Sequence, residues 1–494
     1  MPNMPHTTTR RRRAGLLVGA SLLSITGLIA PIATASASTF PSDTTKPDLV
    51  PALSGYNALW RPSGNDDLHG TVLNAKALQR NDQLVSWINQ HATRPQQFRA
   101  LQNSAYLASD GGGYDQSISI ADGLGKNLGI FYAKGRIDGS LPLTSALINS
   151  SKGSTGAYVG TSAAKSAYSH PRPFLPADPK AAPVPGDDGG CAPSAVNSSS
   201  AASNRKGRPW ADAAGNLKVT RVPAAVDTTH EFATTDVTLD PLYGLPALCA
   251  GGSYPSGHTA TAYQAGITLA TLLPELAPQI LARSSEAANN RIVLGVHYPL
   301  DIVSGRMSGE IALSARWSDA KFRKAVLTPA RKELVSYLTK QCKSVLHIST
   351  LSKCIAADTS YANNPYGGAK IPGGTAQIVT NRQSALRVYT ERLGYGFQPT
   401  ASTKRAASVP AGADNLLRTT YPSLTASQRR QILAQTQIAS GHPLDTTAAH
   451  AAYPLVPGSW QRLNLAAALS AKVKITKSGK VKVVSTGGKA TVVR

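Results

Sequence analysis

Residues 252–260 read GSYPSGHTA, and from Thr259 the chain continues as TATAYQAGITLATLL to residue 273. Pro255 and Gly257 are typical of a turn, and the apolar run that follows is typical of a helix. A helix start offers unpaired backbone N–H groups and a partial positive charge, which together suit a phosphate. The same pattern is also typical of an ordinary helix capped by Ser256. The stretch therefore predicts a helix start, and it predicts an anion site only if other segments supply partners.

A second segment, residues 290–301, reads NRIVLGVHYPLD. Pro299 is tolerated in a helix only within the first turn, so we expect a new helix to begin near Tyr298, with Asp301 in its opening turn. Asp301 is then placed to accept a hydrogen bond from one ring nitrogen of His297. Such a bond fixes the tautomer and leaves the other ring nitrogen free to attack an electrophile.

A third segment, residues 165–174, reads KSAYSHPRPF and carries two cations, Lys165 and Arg172, in a proline-rich context. A phosphoryl group in transfer spreads its charge over three equatorial oxygens. Positioned cations and backbone N–H groups therefore carry most of the catalysis of such a reaction. Lys165 and Arg172 are candidates for this role.

In chain order, the three segments match K-x₆-R-P, P-S-G-H and R-x₅-H-x₃-D. This set resembles the motifs of the type 2 phosphatidic acid phosphatase (PAP2) superfamily, which includes bacterial class A non-specific acid phosphatases and vanadium haloperoxidases. The resemblance covers about residues 110 to 320. It implies an all-α, PAP2/haloperoxidase-like helical bundle that holds no metal and has its active site at one end.

The resemblance also implies a role for each matching residue. His297 would be the nucleophile that forms a phosphohistidine, and Asp301 would orient it. His258 would protonate the leaving alkoxide and later activate water. The phosphate oxygens would be bound by Lys165, Arg172, Arg291, the Ser256 hydroxyl and the Gly257 N–H. A side chain at Gly257 would obstruct the approach of the backbone to the anion.

Two departures from the family pattern are visible. The third motif of the family usually begins Ser-Arg, whereas Asn290 stands in the place of the serine here. An amide also forms hydrogen bonds, so we expect altered positioning rather than inactivity. The insertion between Arg172 and Ser256 is longer than in compact acid phosphatases, which leaves the substrate specificity open.

The N-terminus indicates export, and the chain carries a large excess of positive charge. Arg10–Arg13 precede an apolar run that ends in Ala35-Ser36-Ala37, the pattern of a secretory signal cleaved before Ser38. A single membrane anchor is the alternative, and the arginine run matches part of a twin-arginine export signal. The formal charge of the 494-residue chain is +24, and +20 without the four arginines of the signal.

Such an excess of positive charge favours anionic partners. No nucleic-acid-binding module is recognisable, so we expect no nucleic-acid partner. The resemblance to the PAP2 superfamily implies a small phosphomonoester as substrate. We also expect no transmembrane span after signal cleavage, because Pro274, Glu275 and Pro278 interrupt the most apolar later stretch. The expected location is secreted, extracellular or associated with a bacterial cell wall.

Four cysteines, in an exported chain, predict two disulfides. Three connectivities are open, and we favour Cys191 with Cys249 and Cys342 with Cys354. A zinc site is the weaker interpretation, because no C-x₂-C spacing occurs and no histidine lies close by at ligand spacing.

The chain divides into four predicted regions: a signal at 1–37, a helical lead at 38–109, a phosphatase core at 110–340 and a C-terminal extension at 341–494. Residues 175–252 form an irregular surface insertion in the core, which a disulfide would tether. Helical periodicity covers residues 71–90, 97–108 and 119–136, as well as three segments between 255 and 340.

The C-terminal extension carries two further patterns. Thr425 is a plausible N-cap for the helix ASQRRQILAQTQ. In the tail, lysines alternate with β-branched residues on both sides of Lys477–Lys480, which predicts a β-hairpin. Its lysines suit a solvated edge that resists aggregation, or attachment to an anionic cell-wall or membrane surface.

The leading functional hypothesis is a secreted phosphomonoesterase that needs no metal or other cofactor. One alternative is a vanadium haloperoxidase, in which vanadate would be a cofactor on His297 rather than a phosphate mimic. The 33 residues from His258 to Arg291 are fewer than is usual in those enzymes. A lipid phosphate phosphatase acting outside the membrane and a wall-binding protein with an inactive core are further alternatives.

Overall fold

Helices dominate the computed structural model, which describes residues 40–105, 115–358, 366–446 and 458–493. The predicted signal at 1–37 lies outside the described residues. The longer helices, in chain order, are α1 Ala75–Gln90, α2 Arg94–Ala105, α3 Lys126–Ile137, α4 Pro142–Ile148, α5 Ser162–Tyr168, α6 Ser199–Arg205, α7 Gly257–Leu272, α8 Ala277–Val293, α9 Pro299–Ser318, α10 Thr328–Val345, α11 Leu351–Ala357, α12 Arg382–Arg392 and α13 Ala426–Thr436.

Shorter elements connect these helices. One-turn α-helices are found at Pro41–Thr44, Leu49–Ala52, Gln116–Ser119, Pro193–Val196, Pro246–Cys249, Ala320–Phe322 and Leu465–Ala468. A π-helical turn, Arg323–Leu327, precedes α10, and short 3₁₀ turns occur at Ser54–Ala58, Ala121–Leu124, Gly189–Cys191, Pro274–Leu276 and Ala413–Leu417. The strands are β1 Trp60–Arg61, β2 Thr71–Val72, β3 Ala225–Asp227, β4 Val237–Leu239, β5 Lys472–Ile475, β6 Val481–Ser485 and β7 Thr491–Val493.

Helix α7 is the central element, and it packs against both α8 and α9. It is buried on every side from Thr259 to Leu272 apart from Thr261, as expected of a helix that is apolar all round. Close approach to α8 depends on Gly266, because a Cβ atom added there would lie 1.8 Å from Ser284 Oγ. The all-α prediction for the core is confirmed.

The start of α7 also contacts α9 closely. A Cβ atom added at Gly305 would lie 2.6 Å from Thr259 Cβ and 2.7 Å from Ser256 O. The backbone N–H of Ser256 donates to the carbonyl oxygen of Asp301 at 3.0 Å. These contacts bring the beginnings of α7 and α9 together at one end of the helix pair.

The described parts of the lead, the core and the C-terminal extension share one hydrophobic core, which includes Leu84 of α1, Leu269 of α7 and Leu433 of α13. Helix α2 and helix α12 both pack on α8, and α10 packs on α4. Phe40–Arg494 accordingly groups as a single compact unit. The region boundaries at 109/110 and 340/341 stay predictions.

The insertion at 175–252 is irregular but is not only a surface loop. It contains α6 and the antiparallel pair β3–β4, and it buries Val196, Leu217 and Leu239 in the main core. The Cys191–Cys249 disulfide closes it, and Cys342 pairs with Cys354, so the favoured connectivity is confirmed.

The C-terminal tail forms a three-stranded sheet rather than a simple hairpin. Strands β5 and β6 pair antiparallel, as predicted, and β7 adds to the other side of β5 in parallel. The strand order is β6–β5–β7. The alternation of residues in the sequence identified β5 and β6 but not β7. Strand β7 pairs with β5 and not with β6, which precedes it in the chain, and the local pattern does not indicate this pairing.

Local capping explains where several helices begin. Asn74 caps α1 by accepting from Ala77 N, so this helix starts later than the predicted residue 71, and Thr71–Val72 pairs with β1 instead. Thr425 caps α13 as predicted, with Gln428 completing a capping box. In the described ranges, no helix has both the length and the apolar character needed to cross a membrane.

Candidate active site

The start of α7 is an ordinary capped helix that also faces the other motif segments. Ser256 is buried, and its Oγ accepts a hydrogen bond from Thr259 N at 3.2 Å. Gly257 and His258 follow in the first turn. A Cβ atom added at Gly257 would lie 3.1 Å from Thr161 Oγ1 and 3.8 Å from Lys165 Cε. Glycine therefore allows the segment that begins α5 to approach the start of α7.

The start of α9 holds the predicted nucleophile. Tyr298 is the N-cap and Pro299 is the first helical residue, as expected from the sequence. Asp301 Oδ2 accepts a hydrogen bond from Tyr298 N at 2.8 Å and lies 3.2 Å from His297 Nδ1. The turn from α8 to α9 contains Gly295 with a φ of +69°, a conformation that favours glycine.

The tautomer of His297 follows from its two neighbours. Arg172 Nη1 lies 2.9 Å from His297 Nε2, and a guanidinium only donates hydrogen bonds. Nε2 is therefore the acceptor, and the ring proton belongs on Nδ1, where it points to Asp301. The lone pair of His297 Nε2 faces a cation, which is where an oxyanion would also be held.

Backbone carbonyl groups hold the two cations of the first motif beside the second and third motifs. Lys165 Nζ donates to Gly252 O at 2.6 Å, and Arg172 Nε donates to Gly251 O at 3.0 Å. Arg172 Nη1 also donates to Val296 O at 3.0 Å. These bonds bring all three motif segments to one place, as the sequence predicts.

The third cation, Arg291, is buried at the end of α8 and donates through Nη1 to Ser104 Oγ of α2. The neighbouring Asn290 donates through Nδ2 to Asn103 Oδ1 at 2.7 Å. The residue that departs from the family pattern thus holds α2 against α8, and Ser104 is next to that contact. Neither Ser104 nor Asn103 carries a signal in the sequence that would identify this role.

Burial and the clustered cations lower the pKa values of both histidines. For His297 and His258, burial is the main cause, and Arg172, Arg291 and Lys165 add to it. Both rings are therefore neutral well into the acidic range. The cations also affect one another, since burial and nearby Arg291 lower the pKa of Arg172 to about 9.

The site has one carboxylate in direct contact with His297, and its charge state is finely balanced. Burial raises the pKa of Asp301 to about 7, against the effects of the Tyr298 N–H, Lys165, Arg172 and the Ser253 hydroxyl. A bound oxyanion would neutralise cations that otherwise face mainly each other. This arrangement of charge suits a phosphate.

Ser253 and His170 lie beside the motif residues, and no motif in the sequence predicts a role for them. Ser253 lies 3.2 Å from His170 Nδ1, which also contacts Pro171 O at 2.9 Å. His170 is buried, and burial lowers its pKa to about 3, so it is a structural residue in the interior rather than on the surface.

A buried ion pair lies behind Tyr298. Arg205 of the insertion donates to Asp82 Oδ2 at 3.1 Å and to Tyr298 Oη at 2.8 Å. Tyr298 in turn is the residue whose N–H donates to Asp301. The charged residues Arg205 and Asp82 are far apart in sequence, so no local pattern could have joined them.

Within the four described ranges, no group of three or more His, Cys, Asp or Glu side chains is arranged to hold a metal ion. The His297–Asp301 pair is engaged in the hydrogen bonds described above.

A protein-family model matches the part of the chain that holds the candidate site. Residues 147–324 match the model of the PAP2 superfamily, and this range contains every predicted catalytic and phosphate-binding residue. This part of the chain is therefore similar to the PAP2 superfamily. The match excludes residues 110–146 and 325–340, so these parts of the predicted core stay a prediction.

Proteins similar to part of this chain include bacterial acid phosphatases. An acid phosphatase of Zymomonas mobilis subsp. mobilis is 45% identical over 85 residues, which are 17% of this chain and 31% of that protein. A non-specific acid phosphatase of Providencia stuartii is 34% identical over 77 residues, 16% of this chain and 31% of the relative. One from Salmonella typhi is 34% identical over 83 residues, 17% of this chain and 33% of the relative. The chain spans about a third of the length of these curated relatives.

Proposed function

We propose that this chain is a secreted phosphomonoesterase of the acid phosphatase type, which works without a metal through a phosphohistidine on His297. The observation that carries the proposal is the contact of Arg172 Nη1 with His297 Nε2, because it places an unprotonated ring nitrogen beside a phosphate-binding cation. The similarity of part of the chain to acid phosphatases supports the same reaction class.

Substrate binding uses the cation cluster. The phosphate of the ester is held by Lys165, Arg172 and Arg291, with the backbone N–H groups at the start of α7 facing it. The dianion neutralises these cations, so their effect on the pKa of His258 becomes weaker. His258 then takes up a proton more readily, which prepares it to act as an acid.

The first chemical step transfers the phosphoryl group to His297. The Nε2 lone pair forms a bond to phosphorus as the bond from phosphorus to the ester oxygen breaks, and His258 gives its proton to the leaving alkoxide. The ring of His297 becomes positively charged, and Asp301 stabilises it through Nδ1. The three cations bind the equatorial oxygens in the transition state.

The second step releases phosphate. His258, now neutral, takes a proton from a water molecule, and the resulting oxygen nucleophile bonds to phosphorus as the P–N bond breaks. Orthophosphate leaves, and His297 returns to its neutral form with the proton on Nδ1. No electrons are transferred, and the two protons are accounted for by His258 and water.

The proposal is tested by hydrolysis of p-nitrophenyl phosphate by residues 38–494, with EDTA, with orthovanadate and for the variant His297→Ala. We expect turnover that resists EDTA, is inhibited by vanadate and falls about 10⁴-fold or more in the variant. The matched control is His230→Ala, because His230 is an exposed histidine paired with Asp236 at 2.8 Å and should leave turnover unchanged.

A trapped intermediate distinguishes the mechanism from the activity. Acid quenching during turnover should destroy a phosphohistidine, whereas alkaline quenching should preserve it on the peptide that contains His297. Hydrolysis that needs an added divalent metal would contradict the proposal. So would oxidation of bromide by peroxide in vanadate-loaded protein that lacks phosphatase activity, which would identify a haloperoxidase.

We further propose export of the chain with cleavage before Ser38. Two disulfides support it, because such bonds persist in oxidising compartments outside the cytoplasm. The test is N-terminal sequencing of protein recovered from the medium or the cell wall. A first residue of Ser38 is the expected result, and protein that stays in the cytoplasm with residues 1–37 intact would contradict it.

We also propose that the sheet β5–β6–β7 attaches the enzyme to an anionic surface such as a cell-wall polymer. Six exposed lysines lie on this basic sheet or its turns: Lys472, Lys474, Lys477, Lys480, Lys482 and Lys489. Lys474 and Lys482 are directly opposite each other in the antiparallel pair, and like charges so placed destabilise a sheet. An anionic partner would remove that repulsion.

The attachment is tested with the double variant Lys474→Gln/Lys482→Gln in sedimentation with purified cell walls. We expect weaker retention than for the unmodified chain. The matched control, Lys340→Gln/Lys343→Gln, removes two exposed lysines from α10. Equal retention of the two double variants would overturn the proposal without affecting the proposed phosphatase activity.

A further inference from the structure

A second concentration of positive charge lies at the other end of α7. A cleft of about 570 Å³ is bordered by the end of α7, the π-helical turn, α10 and the residues after the 3₁₀ turn Ala413–Leu417. We call it the basic cleft, and its lining includes four cations and several hydroxyl groups, notably Arg323, Arg331, Lys332, Arg418, Thr271 and Ser336. Among the described residues that line it, none is a carboxylate.

Neutral oxygen atoms fix the guanidinium groups around the basic cleft. Arg323 donates to Ser318 O at 2.7 Å, Arg331 Nε donates to Leu272 O at 3.1 Å, and Arg418 Nη2 donates to Asn415 Oδ1 at 2.9 Å. Each bond orients a cation without neutralising it. Hydrogen bonds therefore fix the orientation of these three arginine side chains at the cleft.

Nearby carboxylates are engaged elsewhere. Asp319 accepts hydrogen bonds from Ser42 and from Phe322 N. Asp414 pairs with Arg429 at 3.1 Å. Burial, together with the charges of Arg418 and Arg429, lowers the pKa of Arg323, and the charge of Asp319 opposes this effect only in part. The cations of the basic cleft therefore repel one another, and a bound anion would relieve that repulsion.

The basic cleft is separate from the candidate active site. Thr271 lines the cleft near the end of α7, while Gly257 begins the same helix at the active site. At 1.5 Å per residue, these two ends are about 20 Å apart. One small phosphate ester cannot contact both places.

We propose that the basic cleft binds a small molecule that carries two or more phosphate groups. Arginine forks match phosphate oxygens in pairs, and three arginines and a lysine exceed what one phosphate can engage. A volume of about 570 Å³ lies within the range of small-molecule sites. The hydroxyl group of Ser336 adds a donor for a further oxygen.

The test is calorimetric titration of inorganic tripolyphosphate into residues 38–494 carrying His297→Ala, at constant ionic strength. This background prevents turnover of the ligand under the proposed mechanism. We expect the added double variant Arg331→Gln/Arg418→Gln to weaken binding about tenfold or more. The matched control, Lys474→Gln/Lys482→Gln, removes the same charge from the basic sheet and should change binding less than about twofold.

A second variant protects the test against misfolding. Lys332→Gln alters an exposed side chain of α10, and it should weaken tripolyphosphate binding while leaving the melting temperature unchanged. Binding that is unaffected by both cleft variants would place the ligand at the active site and overturn the proposal. If the cleft and sheet double variants weaken binding equally, the loss of net charge alone explains the effect. That result would also overturn the proposal.

Discussion

His297 has contacts that define its chemistry on both sides of the ring. Arg172 donates to Nε2 and Asp301 faces Nδ1. In the proposed mechanism, the phosphoryl group that bonds to Nε2 takes the place of the arginine contact, so Arg172 would turn to the phosphate oxygens as the bond forms. The guanidinium has several donors in one plane, which allows it to change partner without leaving the site.

The several N–H donors of the Arg172 guanidinium group are therefore expected to contribute more to catalysis than its charge alone. Arg172→Lys keeps a cation but cannot reach Gly251 O, Val296 O and the substrate together. We expect kcat/KM to fall about 100-fold, as for loss of one positioned donor in a transition state. Steady-state kinetics measure this, with the exposed Arg208→Lys as control. Equal kinetics of Arg172→Lys and the unmodified chain would contradict it.

Ser253 is expected to set the acidic limit of activity. Its hydroxyl lowers the pKa of the Asp301 carboxyl, which burial raises. In Ser253→Ala this stabilisation of the ionised carboxylate is lost, so its pKa rises further. The acidic limb of kcat/KM against pH, which reports the free enzyme, should move to higher pH.

The control for that pH profile is Ser344→Ala, an exposed serine of α10. Its profile should overlie that of the unmodified chain. A Ser253→Ala profile that falls evenly at every pH would indicate a general loss of packing instead. A shift of the acidic limb to lower pH would contradict the assigned effect of Ser253 on the pKa of Asp301.

Site residues that belong to a short motif could be predicted from the sequence, whereas residues far from any motif could not. His258, His297 and Asp301 stand in short patterns whose helix starts are dictated locally. Ser104 and Arg205 contribute through contacts across 187 and 93 residues, respectively, and neither has a neighbour that marks it. Only packing brings such residues together.

At the scale of elements, the turn between α8 and α9 positions Arg291 and His297 relative to each other. Gly295 has a φ of +69°, and a Cβ atom added there would lie 2.3 Å from Val219 Cγ1. Gly295→Ala should lower the free energy of unfolding by about 1–2 kcal/mol, because alanine is strained in a left-handed backbone conformation. The close contact of the new Cβ atom with the insertion should lower it further. We also expect lower kcat, because His297 would shift.

Gly479→Ala is the matched control for that variant. Gly479 has a φ of +76° in the turn of the basic sheet, and nothing lies within 4 Å of an added Cβ atom. Gly479→Ala should lower the free energy of unfolding by a similar amount, because alanine is also strained at this positive φ, and it should leave kcat unchanged. Urea unfolding and kinetics on both variants separate strain from displacement of the site, and equal kcat values would contradict the positioning role of Gly295.

Element prediction succeeded where the cause is local. Pro299 and Thr425 mark helix starts through their own backbone and side-chain chemistry, and both starts are found. The sequence gives no comparable signal for β7, which pairs with β5 in parallel. The contributions of the insertion to the core were missed for the same reason, since residues 175–252 lack a regular period.

At the scale of the whole molecule, the two disulfides should have different effects. Cys191–Cys249 spans 58 residues and closes the insertion that carries Arg205, whereas Cys342–Cys354 spans 12 residues. Replacing the first pair by serine should cost about 4 kcal/mol of stability and also lower kcat. Replacing the second should cost about 3 kcal/mol with kcat nearly unchanged.

Urea midpoints and kcat of the two double variants provide the measurement. Both proteins are compared under oxidising conditions, so that the remaining disulfide stays formed. A larger loss of kcat from the second pair would contradict the role assigned to the insertion. Equal midpoints for both variants and the unmodified chain would show that neither loop closure stabilises the fold.

The ion pair of Arg205 with Asp82 joins the insertion to α1 inside the protein. A lineage that lost the insertion alone would keep Asp82 as a buried carboxylate with no countercharge, which is strongly destabilising. Asp82 and the insertion are therefore expected to be inherited together or lost together. Among homologues, shortened insertions should coincide with a neutral residue at position 82, a correlation that ancestral reconstruction can date.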